Sequence, residues 1–421
     1  MRRLTTVLLL CCLVDWSHNA SLDASGLQSD PAVVNLRNYL RIRSEHPNIN
    51  YAEPIAFLKS QADSLGLPYK VYELVPGKPI LVMSWRGASP DLPSVLLNSH
   101  TDVVPVFEKS WTHPPFEAFM DENGTIYARG IQDMKSVGIQ FIEAVRRLKA
   151  AGVKLKRTVH LSFVPDEELG GADGMRKFVE TEDYKALNVG FALDEGIASA
   201  DDDYLVYYAE RSVWHVDIIA TGKSGHGSLL HDNTPGEKIR YIIDKFSDLR
   251  AENKKRLDEN KDLTIGDVTT INLTKLRGGV QSNVVPEKMT VTFDIRLAID
   301  VDHKEFEETI QRICKEAGEG VSYEFEQKGP YVEPTKLDDS NPYWLAFKNV
   351  TDELHLPIKT LVFPGGTDSR YVRAGGAPAL GFSPIRRTPV QLHEHNESLN
   401  AQTFLDGIGI FEKIVTAVAN V

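Results

Sequence analysis

Apolar side chains recur at helical spacing over residues 31–42, through Val34, Leu36, Tyr39 and Leu40, and again over 55–65. Short apolar runs at 80–85 and 95–98 predict strands, a longer periodic stretch at 134–149 predicts a helix, and 158–164 and 189–193 predict two more strands. Helices alternating with apolar strands read as an α/β unit with a mostly parallel sheet. Beyond Asp201 the order changes to strand 214–220, helix 236–250, strand 268–275, strand 289–297, helix 303–317 and strand 321–326. That β-α-β-β-α-β order is ferredoxin-like. It predicts a unit inserted over 208–328, with the main unit divided between 21–207 and 329–421. The polar stretch 252–262 reads as a solvated helix end or loop without a function.

Composition narrows the class. The 421 residues are 42% hydrophobic and 25% charged, the balance of a soluble globular chain rather than a disordered or multi-span membrane protein. Acidic residues outnumber basic ones by 59 to 47, so the basic surplus that a phosphate backbone attracts is missing and nucleic acid is excluded as a partner. The first twenty residues carry Arg2 and Arg3, an apolar run at 7–14 and then small or polar residues. This is the pattern of a secretory signal peptide cut after Ala20, too short for a stable membrane span, and it predicts a secreted protein or one of the secretory lumen. Sequons at Asn123, Asn272, Asn349 and Asn396 agree with that route. Without the leader only Cys314 remains, so packing or bound metal has to supply what disulfides would.

Ligand sites in open α/β sheets gather at the carboxyl ends of strands. The run at 95–99 leads into His100-Thr101-Asp102, the run at 158–164 into Pro165-Asp166-Glu167-Glu168, and the run at 189–193 into Asp194-Glu195. Asp133, just ahead of a helix, and His393 in Leu392-His393-Glu394-His395 complete the candidates. Taken singly each has a plain reading: Asp133 as a helix cap, Asp194 and Glu195 facing solvent, the histidines as structural. Together, three carboxylates and two histidines suit zinc, and five ligands suit two ions sharing one carboxylate. Adjacent side chains point apart, so Glu168 can bind metal while Glu167 holds a water as general base.

These residues resemble those of the dizinc aminoacylase and carboxypeptidase family of metallopeptidases. The matching stretches are His100-Thr101-Asp102-Val103-Val104-Pro105, Arg129-Gly130-Ile131-Gln132-Asp133-Met134-Lys135, Pro165-Asp166-Glu167-Glu168, Leu193-Asp194-Glu195-Gly196, Gly225-His226-Gly227-Ser228, Gly365-Gly366-Thr367-Asp368-Ser369-Arg370 and Leu392-His393, in the family's order. The resemblance implies two zinc ions per subunit: His100 and Glu195 on one, Glu168 and His393 on the other, and Asp133 bridging. It implies Asp102 orienting His100, Glu167 as the base, and His226 reaching the active site of a partner subunit in a homodimer formed through the inserted unit. Asn283 and Arg296 match substrate-contacting positions, with Thr367 and Arg370 as further pocket residues; Arg370 could equally pair with Asp368. Glu rather than Asp at 195 is what the aminoacylase and carboxypeptidase branches have. The implied reaction is hydrolysis of N-acyl-L-amino acids to a carboxylate and a free amino acid. A dipeptidase or carboxypeptidase is the alternative, and a secreted carrier without catalysis is the second. One departure is the leader, since the familiar aminoacylase of this family is cytosolic and has none.

Overall fold

The computed structural model describes residues 24–421, so the leader expected over 1–20 lies outside the described residues. Helix α1 (Pro31–Leu40) begins where the Asp30 side chain accepts the N–H groups of Ala32 and Val33. Helix α2 (Ala52–Leu65) ends at Gly66, whose φ of 62° is a left-handed cap that glycine adopts without strain. The chain then forms β1 (Tyr69–Val75), β2 (Lys78–Trp85), β3 (Ser94–His100), α3 (Ser136–Ala150), β4 (Val159–Val164), β5 (Val189–Asp194) and β6 (Tyr204–Glu210).

It crosses into a second group of elements: β7 (Ser212–Thr221), α4 (Pro235–Glu259), β8 (Thr270–Gly278), β9 (Lys288–Leu297), α5 (His303–Glu316) and β10 (Val321–Lys328). It returns through α6 (Pro342–Glu353), β11 (Ile358–Phe363), α7 (Ser369–Ala374), β12 (Ala379–Phe382) and α8 (Ala401–Val418).

The first sheet has eight strands in the order β1-β2-β4-β3-β5-β12-β6-β11. Its centre, β4-β3-β5-β12, is parallel, as is β6 with β11, while β1-β2, β2-β4 and β12-β6 are antiparallel. The expected parallel character therefore holds at the centre, where both faces are covered, and gives way to mixed pairing outside it. On one face α3 and α8 pack together, with the Phe141 and Phe411 rings 4.6 Å apart. Met175, Phe178 and Tyr184 help cover the other.

The second sheet is antiparallel in the order β8-β9-β7-β10, the strand order of a ferredoxin-like unit. Alternation along β7 buries Trp214, Val216 and Ile218 beneath α4 and α5 and leaves His215 and Asp217 on the opposite face. Phe246 of α4 stacks on Phe293 of β9 at 4.2 Å. Helix α4 continues through Glu259, beyond the expected end at 250. Thr234 and Glu237 form its capping box, and the pairs Lys254–Asp258 and Lys255–Glu259 support a solvated extension that hydrophobic periodicity does not register.

Candidate active site

Three adjacent parallel strands end at one place. β3 delivers His100, β4 leads through Asp166 to Glu167 and Glu168, and β5 leads to Glu195. Asp166 makes the turn at φ 72° and is held there by Lys78 (2.6 Å) and by the Asp173 N–H (2.9 Å). Asp133 sits in extended conformation (φ −124°, ψ 94°) in the turn ahead of α3 rather than capping it, and the Asp133–Met134 peptide is cis. His393 comes from the loop before α8, at φ 61°.

The five expected donors form two overlapping groups. His100 Nε2 is 3.0 Å from Asp133 Oδ1 and 3.6 Å from Glu195 Oε2; His393 Nε2 is 3.2 Å from Asp133 Oδ2 and 3.1 Å from Glu168 Oε2. Within each group the donor atoms lie inside 4.8 Å of one another. A tetrahedral ion with bonds of 2.0–2.2 Å sets its ligands roughly 3.3–3.6 Å apart, so this spacing fits a metal in each group, with one Asp133 oxygen offered to either side.

The electrostatics point the same way. Burial raises the Glu195 pKa well above the usual carboxylate range, and Asp133 adds to the effect; burial and Asp133 likewise raise Glu168. Burial opposes charging His100, but Glu195 and Asp133 outweigh it and hold the imidazole well above its ordinary pKa. Hydrogen bonds to Asp133 and Glu168 raise His393 to about 10. Asp133, although buried, is held far below the usual range by His100 and His393. Crowded carboxylates of this kind, with only imidazoles among them, are stabilised by divalent cations.

Glu167 is buried beside these groups, and among the described residues its carboxylate has no hydrogen-bond partner. Burial, then the nearby Glu195, raises its pKa well above the usual value. Asp102 is fully buried and touches His100 through its backbone carbonyl rather than its carboxylate. His100 Nδ1 meets the Asp102 backbone carbonyl at 2.9 Å, whereas the nearest carboxylate oxygen is 3.8 Å away. That carboxylate instead accepts the Glu167 and Glu168 N–H groups (3.3 and 3.2 Å) and His46 Nε2 (2.8 Å). It therefore fixes the Glu167-Glu168 turn. His46 gives no signal in the sequence because nothing near it marks a site.

A cleft of ≈ 600 Å³ opens over Asp133, Glu167, Glu168, Glu195 and His393 and is closed on its far side by Val213, His215, Arg296 and Gln327 of the four-stranded unit. A second cavity of ≈ 670 Å³ shares Val213, Gln327 and Arg370 with it but holds none of the metal donors. Arg296 donates from Nε and Nη2 to Asp294 (2.8 and 2.9 Å), and His215 Nε2 joins the same carboxylate at 2.9 Å. No sequence signal singles out His215, since alternation along β7 marks it only as solvent-facing.

Arg370 lines the cleft, with Nη2 on the Gly170 carbonyl (2.9 Å) and Glu210 as its nearest acid (3.8 Å). The alternative pairing with Asp368 is thus corrected: Asp368 is fully buried and, among the described residues, neither of its oxygens has a hydrogen-bond partner. Thr367 is buried and bonds Glu210 through N–H and Oγ1, both at 2.7 Å, so its hydroxyl faces a structural acid. His226 and Asn283 are not brought to the cleft. Both lie on an exposed arm, where residues 225–226 pair with 284–285 and the Gly227 N–H donates to the Asn283 carbonyl at 2.7 Å.

The chain is 51% identical to mouse aminoacylase-1 over 391 residues (93% of this chain and 96% of the relative) and 43% identical to aminoacylase-1 of Dictyostelium discoideum over 408 residues (94% and 99%). Its fold matches the crystal structure of an M20 family metallo-carboxypeptidase, Sso-CP2, from Sulfolobus solfataricus, with a TM-score of 0.71 at 18% identity, covering 93% of this chain and 99% of that one. These relatives correct the expected location. The aminoacylase-1 relatives that match over nearly their whole length are cytosolic enzymes, and nothing indicates the secretion expected from the first twenty residues. Among the described residues no helix is long and apolar enough to cross a membrane. The model of peptidase family M20/M25/M40 matches residues 96–417, which include all five donors, and the chain belongs to that family.

Proposed function

We propose that this protein hydrolyses the amide bond of N-acyl-L-amino acids, with two zinc ions held by His100, Asp133, Glu195, Glu168 and His393. The observation that carries the reading is the pair of donor groups sharing Asp133 at the mouth of the cleft, in a chain half identical to aminoacylase-1 over most of its length. The metal-dependent amidohydrolase class rests on both findings together. Two histidines and three carboxylates are a nitrogen and oxygen donor set that zinc accepts. When bound, the ions lower the pKa of water and polarise the acyl carbonyl.

The remaining steps belong to side chains. Glu167, buried at the edge of the cleft and without a hydrogen-bond partner among the described residues, takes a proton from the attacking water and returns it to the departing amine. A raised pKa suits a group that must hold that proton between the two steps. Asp102 keeps Glu167 and Glu168 in register by gripping both of their N–H groups. Arg296 presents the guanidinium edge not used by Asp294 to the substrate carboxylate, with Arg370 on the opposite wall. The Thr367 hydroxyl, engaged by Glu210, shapes the adjoining loop.

The oxyanion of the tetrahedral intermediate needs a further donor, which we assign to His226 from a second copy, accompanied by Asn283. Support comes from their exposure on the arm and from Leu229, Leu230, Leu276 and Val280, large apolar side chains exposed on the same unit. The inserted unit over 208–328 then serves as the dimerisation element.

A hydrolysis panel tests the reading: N-acetyl-methionine, longer-chain N-acyl amino acids and simple dipeptides, each with and without a chelator. Turnover of the N-acyl amino acids that stops on chelation and returns with zinc is the expected result. Faster cleavage of dipeptides would replace the aminoacylase reading with a dipeptidase.

A further inference from the structure

Glu397 is completely buried, and it does not line the cleft. Its two oxygens nevertheless take four donors. Oε2 accepts Arg129 Nη1 at 2.8 Å and the Gly130 N–H at 2.9 Å, and Oε1 accepts the N–H groups of Gln132 at 2.6 Å and of Asp133 itself at 3.2 Å. Its carbonyl receives the Ala128 N–H at 3.0 Å. Arg129, also buried, reaches the His393 carbonyl with Nη2 at 3.4 Å. Gln132 completes the join, donating to the Pro389 and Ser398 carbonyls (3.0 and 2.8 Å) and accepting the Gln391 N–H at 3.1 Å.

Two segments far apart in sequence are fastened here, one carrying Asp133 and the other His393. The shared carboxylate has a demanding geometry, because Oδ1 must serve the group of His100 while Oδ2 serves the group of His393. A small rotation of its turn would spoil both groups at once. Four charge-assisted or backbone bonds on one dry carboxylate resist that rotation.

We propose that Glu397, braced by Arg129, is a positioning residue that holds Asp133 and His393 in the arrangement that takes two ions. The proposal rests on the metal-centre reading above. It differs from a purely structural ion pair in one respect: its loss should weaken metal binding by more than it weakens the fold.

The test uses the full chain stripped of metal and titrated with Zn²⁺ against a chromophoric chelator, for the unaltered protein, Glu397→Gln, and Arg129→Met combined with Glu397→Gln. The single variant strands the Arg129 charge in a dry site and is expected to melt lower. The double variant removes both charges while keeping an amide oxygen for the Gln132 N–H. Both variants are expected to bind zinc about 10–100-fold more weakly. In the double variant the metal-free melting temperature should stay close to that of the unaltered protein, and kcat for N-acetyl-methionine should fall with little change in KM. Unaltered zinc affinity in the double variant would overturn the proposal, as would an affinity loss confined to the single variant. An unaltered protein that takes up no zinc would instead overturn the metal centre on which the proposal stands.

Discussion

In the eight-stranded unit His100, Asp133, Glu167, Glu168 and Glu195 gather within a few ångströms of one another, their side chains almost wholly out of water. In the four-stranded unit His226 and Asn283 stand in solvent on a short arm, and Arg296 reaches the cleft only partly buried. The contrast has a physical origin. Three neighbouring parallel strands carry side chains to a common end at fixed spacing, so chemistry can be completed within one chain. An arm of two paired residues fixes its own direction, and its His226 and Asn283 do not line the cleft. Charges that are buried together call for a cation to compensate them, whereas polar groups held out in solvent are satisfied by water, so the second-copy role of His226 stands as a proposal.

The hardest blow to the first half of that comparison is Asp133→Ala. Because its two oxygens face different donor groups, the change should cost both ions and reduce hydrolysis by about 10⁴-fold or more, whereas Glu168→Ala should cost one ion. Elemental analysis of the purified variants reads this directly, and an Asp133→Ala protein with two tight ions would end the bridging assignment. Next in size is Glu167→Gln, which keeps shape and removes basicity. Turnover should drop about 10³–10⁴-fold while both ions stay bound; near-normal turnover would place the base elsewhere.

The second half of the comparison is tested by mixing. His226→Ala alone should lower kcat by about 10²–10³-fold, the scale of one lost oxyanion donor. If His226 serves the neighbouring copy, refolding His226→Ala together with Glu167→Gln restores one intact site in each mixed dimer, or about a quarter of full activity at random assortment. No recovery would mean that the arm acts within its own chain or not at all.

The two units also differ in how far their sequence discloses them. Strand ends of the first are legible because an apolar run closed by His, Asp or Glu is a local signal, and four of the five donors carry it or adjoin a helix start, whereas His393 sits in a loop eight residues ahead of α8. Their supports are not legible. His46 grips Asp102 from 56 residues away, Glu397 grips the Asp133 turn across more than 260, and neither side chain looks unusual among its neighbours. Buried polar bonds between remote segments leave no periodicity, since each partner is a single residue whose burial depends on the completed fold. In the second unit the ferredoxin-like order is readable from alternation, yet His215 on the cleft face of β7 is not, because alternation reports which face a side chain takes and not what that face meets. Helix α4 extends past its last apolar turn for a related reason, since solvated ion pairs carry it.

The smallest effect concerns acid stability and separates the units once more. His160 lies in β4, buried within the larger sheet, with Nδ1 at 2.8 Å from Ser84 Oγ. Burial lowers its pKa to about 4, against a smaller opposing effect of the hydrogen bond it donates to the Leu187 backbone carbonyl. The unfolded chain regains the ordinary value of 6.5, so between the two pKa values the unfolded state binds more protons and stability falls as the pH falls. The contribution is intact above 6.5, amounts to a loss of about 1.4 kcal/mol at pH 5.5, and is fully lost near pH 4. His303 of the four-stranded unit is also shifted down, by burial, but stands only half-buried, where water screens the effect. His160→Gln keeps an acceptor for Ser84 and does not titrate. Its stability deficit relative to the unaltered protein should therefore shrink by about 1.4 kcal/mol between pH 7.5 and 5.5, measured by urea unfolding and confined to the transition of the larger unit if the two separate. An unchanged deficit would show that His160 is protonated in the folded protein or is reached by water.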